Sequence, residues 1–240
     1  MSPPLVLGTR GSALALWQAR HVAGMLMERL GITTRIEIIK TRGDRIQDVA
    51  FAKMEGKGFF TKELQEALLD RRVDLVVHSL KDLPTEEPEG LEVVAVPERS
   101  NPADLLLARK GFLESTPENP MGVPDGAVLG TSSLRRAAQA LALCPKIEIK
   151  ALRGNVPTRI AKLRDGDYDA ILLAAAGVGR LGIALSDLDT IELAPEVMIP
   201  APGQGALAIE CRTGDELTRP LETLHDHEVA THVNTERSLL

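Results

Sequence analysis

The sequence predicts an α/β fold of two related domains that face each other across a cleft, and three observations support this prediction. Residues 73–77 form a largely apolar run of strand length, which is typical of a strand buried on both faces of a parallel sheet. A short strand that ends in a Gly/Ser turn and leads into a helix occurs at residues 5–12 and again at 128–133. The 73–77 run has a second copy at residues 168–174. Each copy is expected to present a helix N-terminus, which is a site suited to anions.

The first copy begins with a strand from Leu5 and continues with a helix from Ala13 to Leu30. Apolar residues at helical spacing predict this helix, with Ser12 as its N-cap and Gly31 as its stop. The polar stretch 41–58 follows, and a loop of that length in a compact domain is usually functional or mobile. The other predicted elements of this copy are strands at Arg35–Ile39, Val73–Val77 and Leu91–Val96 and a helix at Phe60–Asp70.

The second copy follows residues 97–102, which we interpret as a crossing between domains. A second Pro/Gly-rich stretch at 199–205 is interpreted as the return crossing, and the chain after Glu216 is predicted to be helical and more polar. The elements predicted between and after these crossings are a strand starting at Val128, a helix at Leu134–Leu143, a strand at Ile147–Lys150, a helix ending at Gly166, a strand at Tyr168–Ala174 and a strand at Ala206–Cys211.

The composition excludes several classes of protein. The 240 residues are 44% hydrophobic and contain no apolar run near 18 residues, so a membrane-spanning protein is not expected. A net charge of -6 and only six aromatic residues argue against a nucleic-acid partner. The start of the chain lacks the pattern of a secretory signal, so the cytoplasm is the expected location.

The candidate chemistry lies directly after the strand at 73–77. His78, Ser79, Lys81 and Asp82 follow that strand, and ligands of open α/β sheets bind outside the carboxyl ends of such strands. Lys81 could bind an anion, and Asp82 could stabilise a developing positive charge. The alternative is an ordinary polar loop with a surface ion pair. A serine nucleophile is not indicated, because a GxSxG pattern is absent.

A set of arginines recurs at corresponding turns and helix starts of the two copies. Arginine suits bidentate binding of carboxylates or phosphates, so the set indicates a ligand with several such groups. Each arginine alone could equally be an exposed surface residue. The Gly-rich turns match neither a Walker A pattern nor GxGxxG, so a nucleotide is poorly supported. The arginines are Arg10, Arg135, Arg136, Arg153, Arg159 and Arg180.

Neither a metal site nor a disulfide is predicted. His225, His227 and His232 do not have the spacing of a known zinc motif, and a polar helix start explains them better. Cys144 and Cys211 form no CxxC pattern and are expected to be buried structural thiols.

Taken together, seven ordered motifs resemble the porphobilinogen deaminase family over essentially the whole chain. They are Gly8–Ser12, Thr41–Asp44, Gly56–Phe59, Val77–Asp82, Gly130–Arg136, Leu152–Val156 and Pro202–Gly205. The resemblance implies two type II periplasmic-binding-protein-like lobes with a central cleft and a third, α+β domain. It places the first lobe at residues 1–99 and 200–218, the second at 100–199, and the start of the third at 219–240.

The resemblance also implies a reaction, in which four porphobilinogens are joined head to tail with loss of ammonia to give hydroxymethylbilane for haem biosynthesis. The chain would grow on a dipyrromethane cofactor. Asp82 would be the catalytic carboxylate, since deamination creates a cationic species that a fixed carboxylate stabilises. The acetate and propionate groups of each ring would explain the arginines. The enzyme would act as a cytoplasmic monomer on this small molecule.

The site residues implied by the resemblance form three further groups. The residues implied to bind the cofactor are Lys81, Thr131, Ser132, Ser133, Arg135, Arg136, Arg153 and Gly154. Substrate binding falls to Arg10, Ser12, Arg153, Arg159, Arg180 and Gln204. An active-site loop that would exclude water contains Asp44, Asp48, Lys53 and Lys57.

One departure from the family pattern concerns the cofactor. The family attaches dipyrromethane to a cysteine of the third domain, and neither Cys144 nor Cys211 lies in that motif. The expectation is therefore that the third domain is truncated here and that this 240-residue chain alone is inactive. The competing interpretation is a non-catalytic two-lobe protein that binds a polycarboxylate ligand.

Overall fold

The computed structural model describes residues 3–41, 61–114, 116 and 118–240. Their contacts divide them into two units. Unit 1 holds the described residues up to Ser100 together with Pro202–Leu240, and unit 2 holds the described residues of Asn101–Ala201. The chain therefore leaves unit 1 after Ser100 and returns to it at Pro202.

Ten strands and seven α-helices are formed by the described residues. The strands are β1 (Leu5–Thr9), β2 (Thr34–Ile38), β3 (Leu75–Ser79), β4 (Leu91–Ala95), β5 (Asp104–Arg109), β6 (Val128–Gly130), β7 (Glu148–Lys150), β8 (Ala170–Ala174), β9 (Leu188–Leu193) and β10 (Leu207–Arg212). The helices are α1 (Ala13–Leu30), α2 (Lys62–Leu69), α3 (Leu134–Leu143), α4 (Val156–Arg164), α5 (Ala175–Leu181), α6 (Thr218–Glu222) and α7 (His227–Arg237).

The two sheets share one plan, which confirms the internal repeat predicted from the sequence. Unit 1 has the strand order β2-β1-β3-β10-β4, and unit 2 has the order β7-β6-β8-β5-β9. In each sheet the first three strands are parallel, and the fourth runs antiparallel to both of its neighbours. The parallel pairing expected for the strand around residues 73–77 is observed with β1, whereas its other neighbour, β10, runs antiparallel.

Helix α1 has the bounds that the sequence predicts. The Ser12 side chain accepts the backbone N–H of Ala15 at 3.3 Å, which satisfies one of the unpaired amides of the first turn. Gly31 ends the helix with φ at 67°, a left-handed conformation that glycine adopts without steric cost. Buried residues of α1, including Val22 and Leu26, pack in the main core of unit 1.

The repeated glycine of β1 and β6 has a packing reason. A Cβ at Gly8 would lie 2.9 Å from Val76 Cγ1, and a Cβ at Gly130 would lie 2.7 Å from Tyr168 Cδ1. Each first strand therefore approaches the residues of the neighbouring β3 or β8 region too closely for a side chain.

Strand β3 starts and ends two residues later than the sequence predicts. Asp74 lies before it, and His78 and Ser79 belong to the strand itself. His78 remains in the strand because its ring is buried and hydrogen-bonded to Glu210 of β10. A short 3₁₀ turn, Leu80–Asp82, follows.

Three elements were not predicted: β5, α5 and β9. Strand β5 opens with a fully buried Asp104, a residue type that normally argues against a strand interior. Helix α5 contains Gly177 and Gly179, which are poor helix formers. Tertiary contacts outweigh local propensity at these places.

The last two helices belong to unit 1. Leu221 and Leu224 lie in its main core, and Ala230 and Val233 of α7 pack with Leu80 in a second cluster. None of the helices in the described part of the chain has the length and apolar character needed to cross a membrane. Within the same residues, no group of three or more His, Cys, Asp or Glu side chains is arranged to hold a metal ion.

Candidate active site

The carboxyl end of β3 opens into a pocket of unit 1, with a cavity of about 70 Å³. It is the place where the fold rule for open α/β sheets expects a ligand. The polar residues that line it come from the β1–α1 turn, α1, the start of α2 and the end of β3. The lining residues are Arg10, Ser12, Leu14, Ala15, Gln18, Thr61, Leu64, Val77, His78, Ser79 and Asp82.

Three of the predicted site residues meet in this pocket: Arg10, Ser12 and Asp82. Arg10 is half-buried in the turn after β1, and Ser12 is held by its role as the N-cap of α1. Asp82 is exposed at the end of the 3₁₀ turn. The pocket thus combines a cation, a hydroxyl and a carboxylate from two separate parts of the sequence.

Lys81 is directed towards the return crossing. Its Nζ donates to Oε1 of Gln204 at 3.2 Å, and Gln204 is almost completely buried. The predicted substrate-binding residue Gln204 is therefore in contact with Lys81, which was predicted to bind the cofactor. This contact fixes the position of the lysine beside Asp82.

A buried polar network lies beneath the pocket, and the sequence did not indicate it. Glu210 of β10 accepts from Gln65 at 2.9 Å and contacts His78 Nε2 at 3.0 Å. All three residues are buried, as hydrogen-bonded polar groups in a core usually are. His78 also lines the pocket, so the network supports its floor.

Two more polar residues of the pocket were missed. Gln18 of α1 is buried and donates from Nε2 to Oγ of Ser79 at 2.8 Å. Thr61 is buried, and its hydroxyl has no hydrogen-bond partner among the residues that the structure describes. Since such groups are rarely left unpaired, the Thr61 hydroxyl is a candidate to bind a ligand in the pocket that it lines. The only sequence signal for Gln18 and Thr61 was that each is a polar residue within an apolar helical pattern.

In unit 2, the turn before α3 is tied to the turn before α4. Ser132 Oγ donates to the carbonyl of Leu152 at 2.9 Å and accepts its N–H at 3.1 Å. Ser133 caps α3 by accepting the N–H of Arg136, while the Thr131 side chain accepts the N–H of Ser133. The predicted residues of these two turns are thus brought together.

The second of these turns carries Arg153 and Gly154. Gly154 has φ at 112°, and a Cβ there would lie 2.8 Å from Thr158. Only glycine fits this conformation comfortably. Arg159 donates from Nε to the Gly154 carbonyl at 2.7 Å, and Arg153 and Arg159 are both half-buried.

Arg135 and Arg136 share one buried carboxylate, Asp104. Arg136 donates to Asp104 from Nε at 3.0 Å and from Nη2 at 2.7 Å, and also contacts the Leu172 carbonyl. Arg135 Nη2 lies 2.7 Å from the other oxygen of Asp104. Burial lowers the pKa of Arg135, and the Asp104 charge opposes that shift. The guanidinium of Arg136 is committed to Asp104 here, whereas Arg135 remains partly accessible.

The other predicted residues lie elsewhere. Arg180 is half-buried in the last turn of α5. Asp44, Asp48, Lys53 and Lys57 of the predicted active-site loop lie outside the described residues. Cys144 and Cys211 are both free and buried, and burial raises the pKa of Cys211 to about 11.

The strand order and the two-unit plan define the class of protein first: a type II periplasmic-binding-protein-like fold. An ancestral cationic amino acid solute-binding protein matches with a TM-score of 0.56 at 14% identity, covering 97% of this chain and 95% of that one. A Salmonella typhimurium periplasmic binding protein described for its high arginine specificity matches with a TM-score of 0.53 at 13% identity, covering 98% and 99%. At these identities the likeness shows the fold alone.

The family follows from the sequence comparisons. The family model described as porphobilinogen deaminase, dipyromethane cofactor binding domain, matches residues 5–220. The porphobilinogen deaminase of Maridesulfovibrio salexigens is 48% identical over 238 residues, which cover 98% of this chain and 75% of that protein. That of Oceanobacillus iheyensis is 46% identical over 239 residues, with coverage of 98% and 75%. This chain belongs to the porphobilinogen deaminase family.

Proposed function

We propose that this protein is a hydroxymethylbilane synthase, a transferase of haem biosynthesis that joins four porphobilinogens into a linear tetrapyrrole. The observation that carries the proposal is the pocket of unit 1, where Asp82 lies with Arg10 and Ser12 at the carboxyl end of β3. Family membership supplies the substrate class. The pocket supplies a carboxylate and a cation of the kind that the reaction requires.

The chemistry proposed for Asp82 is electrostatic. Porphobilinogen loses its amine as ammonia, which leaves positive charge on the methylene-pyrrole unit. A fixed carboxylate that is already in place stabilises such charge without reorganisation at the moment of reaction. The new carbon–carbon bond forms between this methylene carbon and the free α-carbon of a second pyrrole, which then loses a proton, and Asp82 is the group proposed to accept that proton.

The substrate's carboxylates are proposed to bind cations and hydroxyls. Arginine and serine side chains suit this task, since an N–H or O–H donated to a carboxylate makes a strong, charge-assisted hydrogen bond. The proposed substrate contacts are Arg10, Ser12, Arg153, Arg159, Arg180 and Gln204. Asp44, Asp48, Lys53 and Lys57 are proposed to belong to a loop that excludes water from the reacting groups.

The donor set of unit 2 fits the dipyrromethane cofactor. The cofactor carries carboxylates, and the turn before α3 offers hydroxyls, a helix N-terminus and Arg135 beside the turn of Arg153 and Gly154. When bound, dipyrromethane supplies the primer for chain growth. We assign its binding to Lys81, Thr131, Ser132, Ser133, Arg135, Arg136, Arg153 and Gly154. Arg136 would contribute indirectly, because its contact with Asp104 would orient the N-terminal end of α3.

The attachment of the cofactor is proposed to lie in a third domain. Buried Cys211, with its raised pKa, is a poor nucleophile for a thioether, and Cys144 is buried as well. We propose the functional lobes as residues 1–99 with 200–218, and 100–199, with 219–240 leading towards the third domain. Intact mass of the natural protein tests the proposed site of attachment, since the mass of the cofactor should persist in the Cys144→Ala and Cys211→Ala variants.

We also propose that the protein acts as a cytoplasmic monomer without nucleic-acid or membrane partners. Sedimentation of the natural protein should give the mass of one chain, and fractionation should recover it with the soluble proteins.

Asp82→Ala in the natural, cofactor-bearing protein tests the proposed function. We expect kcat for porphobilinogen to fall by at least about 100-fold, as when a preorganised group is removed from a reacting charge. Glu86→Ala, an exposed acidic residue shortly after the same turn, is the matched control and should retain full activity. An Asp82→Ala protein with wild-type kcat would remove Asp82 from the mechanism.

A further inference from the structure

Arg237, in the last turn of α7, binds the backbone of the turn that carries Lys81 and Asp82. Its Nη1 donates to the carbonyls of Leu80 and Leu83, both at 3.2 Å, and its Nη2 donates to the carbonyl of Pro84 at 2.6 Å. One guanidinium thus holds three carbonyls on both sides of Asp82. Because the contacts are to backbone atoms, they define the path of the turn.

The same helix packs against the apolar side of the turn. Ala230 and Val233 of α7 lie in one buried cluster with Leu80 and Leu83. The 3₁₀ turn is therefore enclosed between apolar contacts and the Arg237 guanidinium. Arg237 is half-buried, and this burial lowers its pKa, whereas the charge of Glu87 opposes the shift.

Glu236, the preceding residue, binds the two crossing segments of unit 1. It accepts both Nη1 and Nη2 of Arg99, at 2.7 and 2.9 Å, and also accepts the N–H of Gly203 at 2.9 Å. Arg99 in turn donates from Nε to the carbonyl of Gln204 at 3.1 Å. Gln204 is the residue that receives the Lys81 ammonium.

The Gly203 segment is also fitted to the turn. Gly203 has φ at 72°, and a Cβ there would lie 3.1 Å from Leu80. The return crossing therefore packs directly on the first residue of the 3₁₀ turn. Arg237 therefore binds the turn that carries Lys81, and the adjacent Glu236 binds the segment that carries Gln204.

We propose that α7 is the positioning element of the active site, and that Arg237 and Glu236 are positioning residues for Asp82 and Lys81. The proposal rests on the proposed function, in which Asp82 stabilises charge on the substrate. Neither residue touches substrate in this role. Arg237 fixes where the carboxylate stands, and Glu236 fixes Gln204, which holds the lysine. A displacement of about 1 Å at such a group can cost about 100-fold in rate.

Arg237→Met in the natural, cofactor-bearing protein is the test, because methionine keeps much of the apolar stem and removes every donor. Arg164→Met is the matched control: Arg164 of α4 also makes three hydrogen bonds, to Asp187 and the Ala184 carbonyl, on an exposed surface. We expect kcat of Arg237→Met to fall about 10- to 100-fold with KM within about threefold of wild type. Arg237→Lys should recover part of the loss.

Amide hydrogen exchange of residues 80–84 supplies a second readout that does not depend on turnover. The Leu83 N–H bonds to the Leu80 carbonyl, and its exchange should be at least about tenfold faster in Arg237→Met but unchanged in Arg164→Met. Unchanged exchange, or faster exchange with wild-type kcat, would overturn the proposal. If the wild-type protein does not consume porphobilinogen, the proposed function fails instead, and exchange still decides whether Arg237 orders the turn.

Discussion

Asp74 and Asp169 make equivalent hydrogen bonds in the two units. Oδ2 of Asp74 accepts the N–H of Val6 at 2.8 Å, and Oδ2 of Asp169 accepts the N–H of Val128 at 2.9 Å. In both cases the backbone N–H of the aspartate returns a bond to the carbonyl of the same valine. Each aspartate therefore joins the start of the central strand to the start of its parallel neighbour.

The charge of each aspartate is matched from the antiparallel fourth strand. Arg212 at the end of β10 lies 3.7 Å from Asp74, and Arg109 at the end of β5 pairs with Asp169. The repeat thus extends from strand order to individual hydrogen bonds. It also explains why β3 and β8 both begin after the aspartate.

Asp74→Ala should destabilise unit 1, and Asp169→Ala should destabilise unit 2, each by about 1 kcal/mol. Each change leaves a backbone amide without its charged acceptor, and the partial exposure of both carboxylates reduces the cost. Trp17, the single tryptophan, lies in unit 1, and Tyr168, the single tyrosine, lies in unit 2. Urea unfolding followed separately through these two residues measures each unit.

Asp125→Ala is the control for these variants, because its ion pair with Lys146 is exposed. It should change stability by less than about 0.5 kcal/mol. Equal losses for all three variants would show that the paired aspartates have no special role.

Much of this architecture could be predicted from the sequence, because the pattern of apolar residues and caps is local. Helices α1 and α3 were predicted with correct bounds, and the repeat was evident from the residues around Gly8 and Gly130. Strand β5 could not be predicted, since its buried Asp104 is stable only with two arginines that lie about 30 residues away. The Arg237 contacts could not be predicted for the same reason, because they connect residues more than 150 positions apart.

The site was predicted where residue type alone indicates chemistry, as at Arg10, Lys81 and Asp82. Gln18, Thr61 and Glu210 were missed, because their importance comes from burial, which a single sequence does not reveal. The assigned roles of the predicted residues, and the cleft expected between the two units, stay predictions.

Glu210→Ala should destabilise unit 1 by about 3 kcal/mol. The substitution removes a buried carboxylate and leaves the Gln65 amide and His78 ring without their partner, and breaking such a buried pair is costly. Urea unfolding followed by Trp17 fluorescence is the measurement. Glu28→Ala, at an exposed position of α1 in the same unit, is the control and should change stability by less than about 0.5 kcal/mol. A loss for Glu210→Ala no larger than that of the control would contradict the role assigned to the network.

Thr61→Val should weaken catalysis while leaving stability unchanged or slightly increased. Valine has nearly the same shape as threonine, and the substitution removes a buried hydroxyl that has no partner in the described part of the chain. If that hydroxyl bonds to substrate, its loss should lower kcat/KM for porphobilinogen about 3- to 10-fold. Thr190→Val, at an exposed position of β9, should leave kcat/KM unchanged. Wild-type kcat/KM in Thr61→Val would show that the hydroxyl does not contact substrate.

His225 should make the stability of unit 1 depend on pH. Its Nδ1 accepts the N–H of Val96 at 3.2 Å, which requires an unprotonated nitrogen. Burial lowers its pKa below the ordinary value of 6.5, and the nearby His227 lowers it further, while Asp226 and Glu222 oppose the shift. Between the lowered pKa of folded His225 and 6.5, the unfolded chain therefore binds more protons than the folded chain. The stability of unit 1 should consequently fall as the pH drops from above 6.5 towards the pKa of the folded state.

His225→Asn tests this expectation, because an amide oxygen accepts the same N–H and does not titrate. The urea midpoint of unit 1, followed by Trp17 between pH 8 and pH 5, should depend less on pH in His225→Asn than in wild type. His232→Asn, an exposed position of α7, should keep the wild-type dependence. If both variants show the same slope as wild type, His225 does not contribute to it, and the pH dependence of unit 1 comes from its other titratable groups.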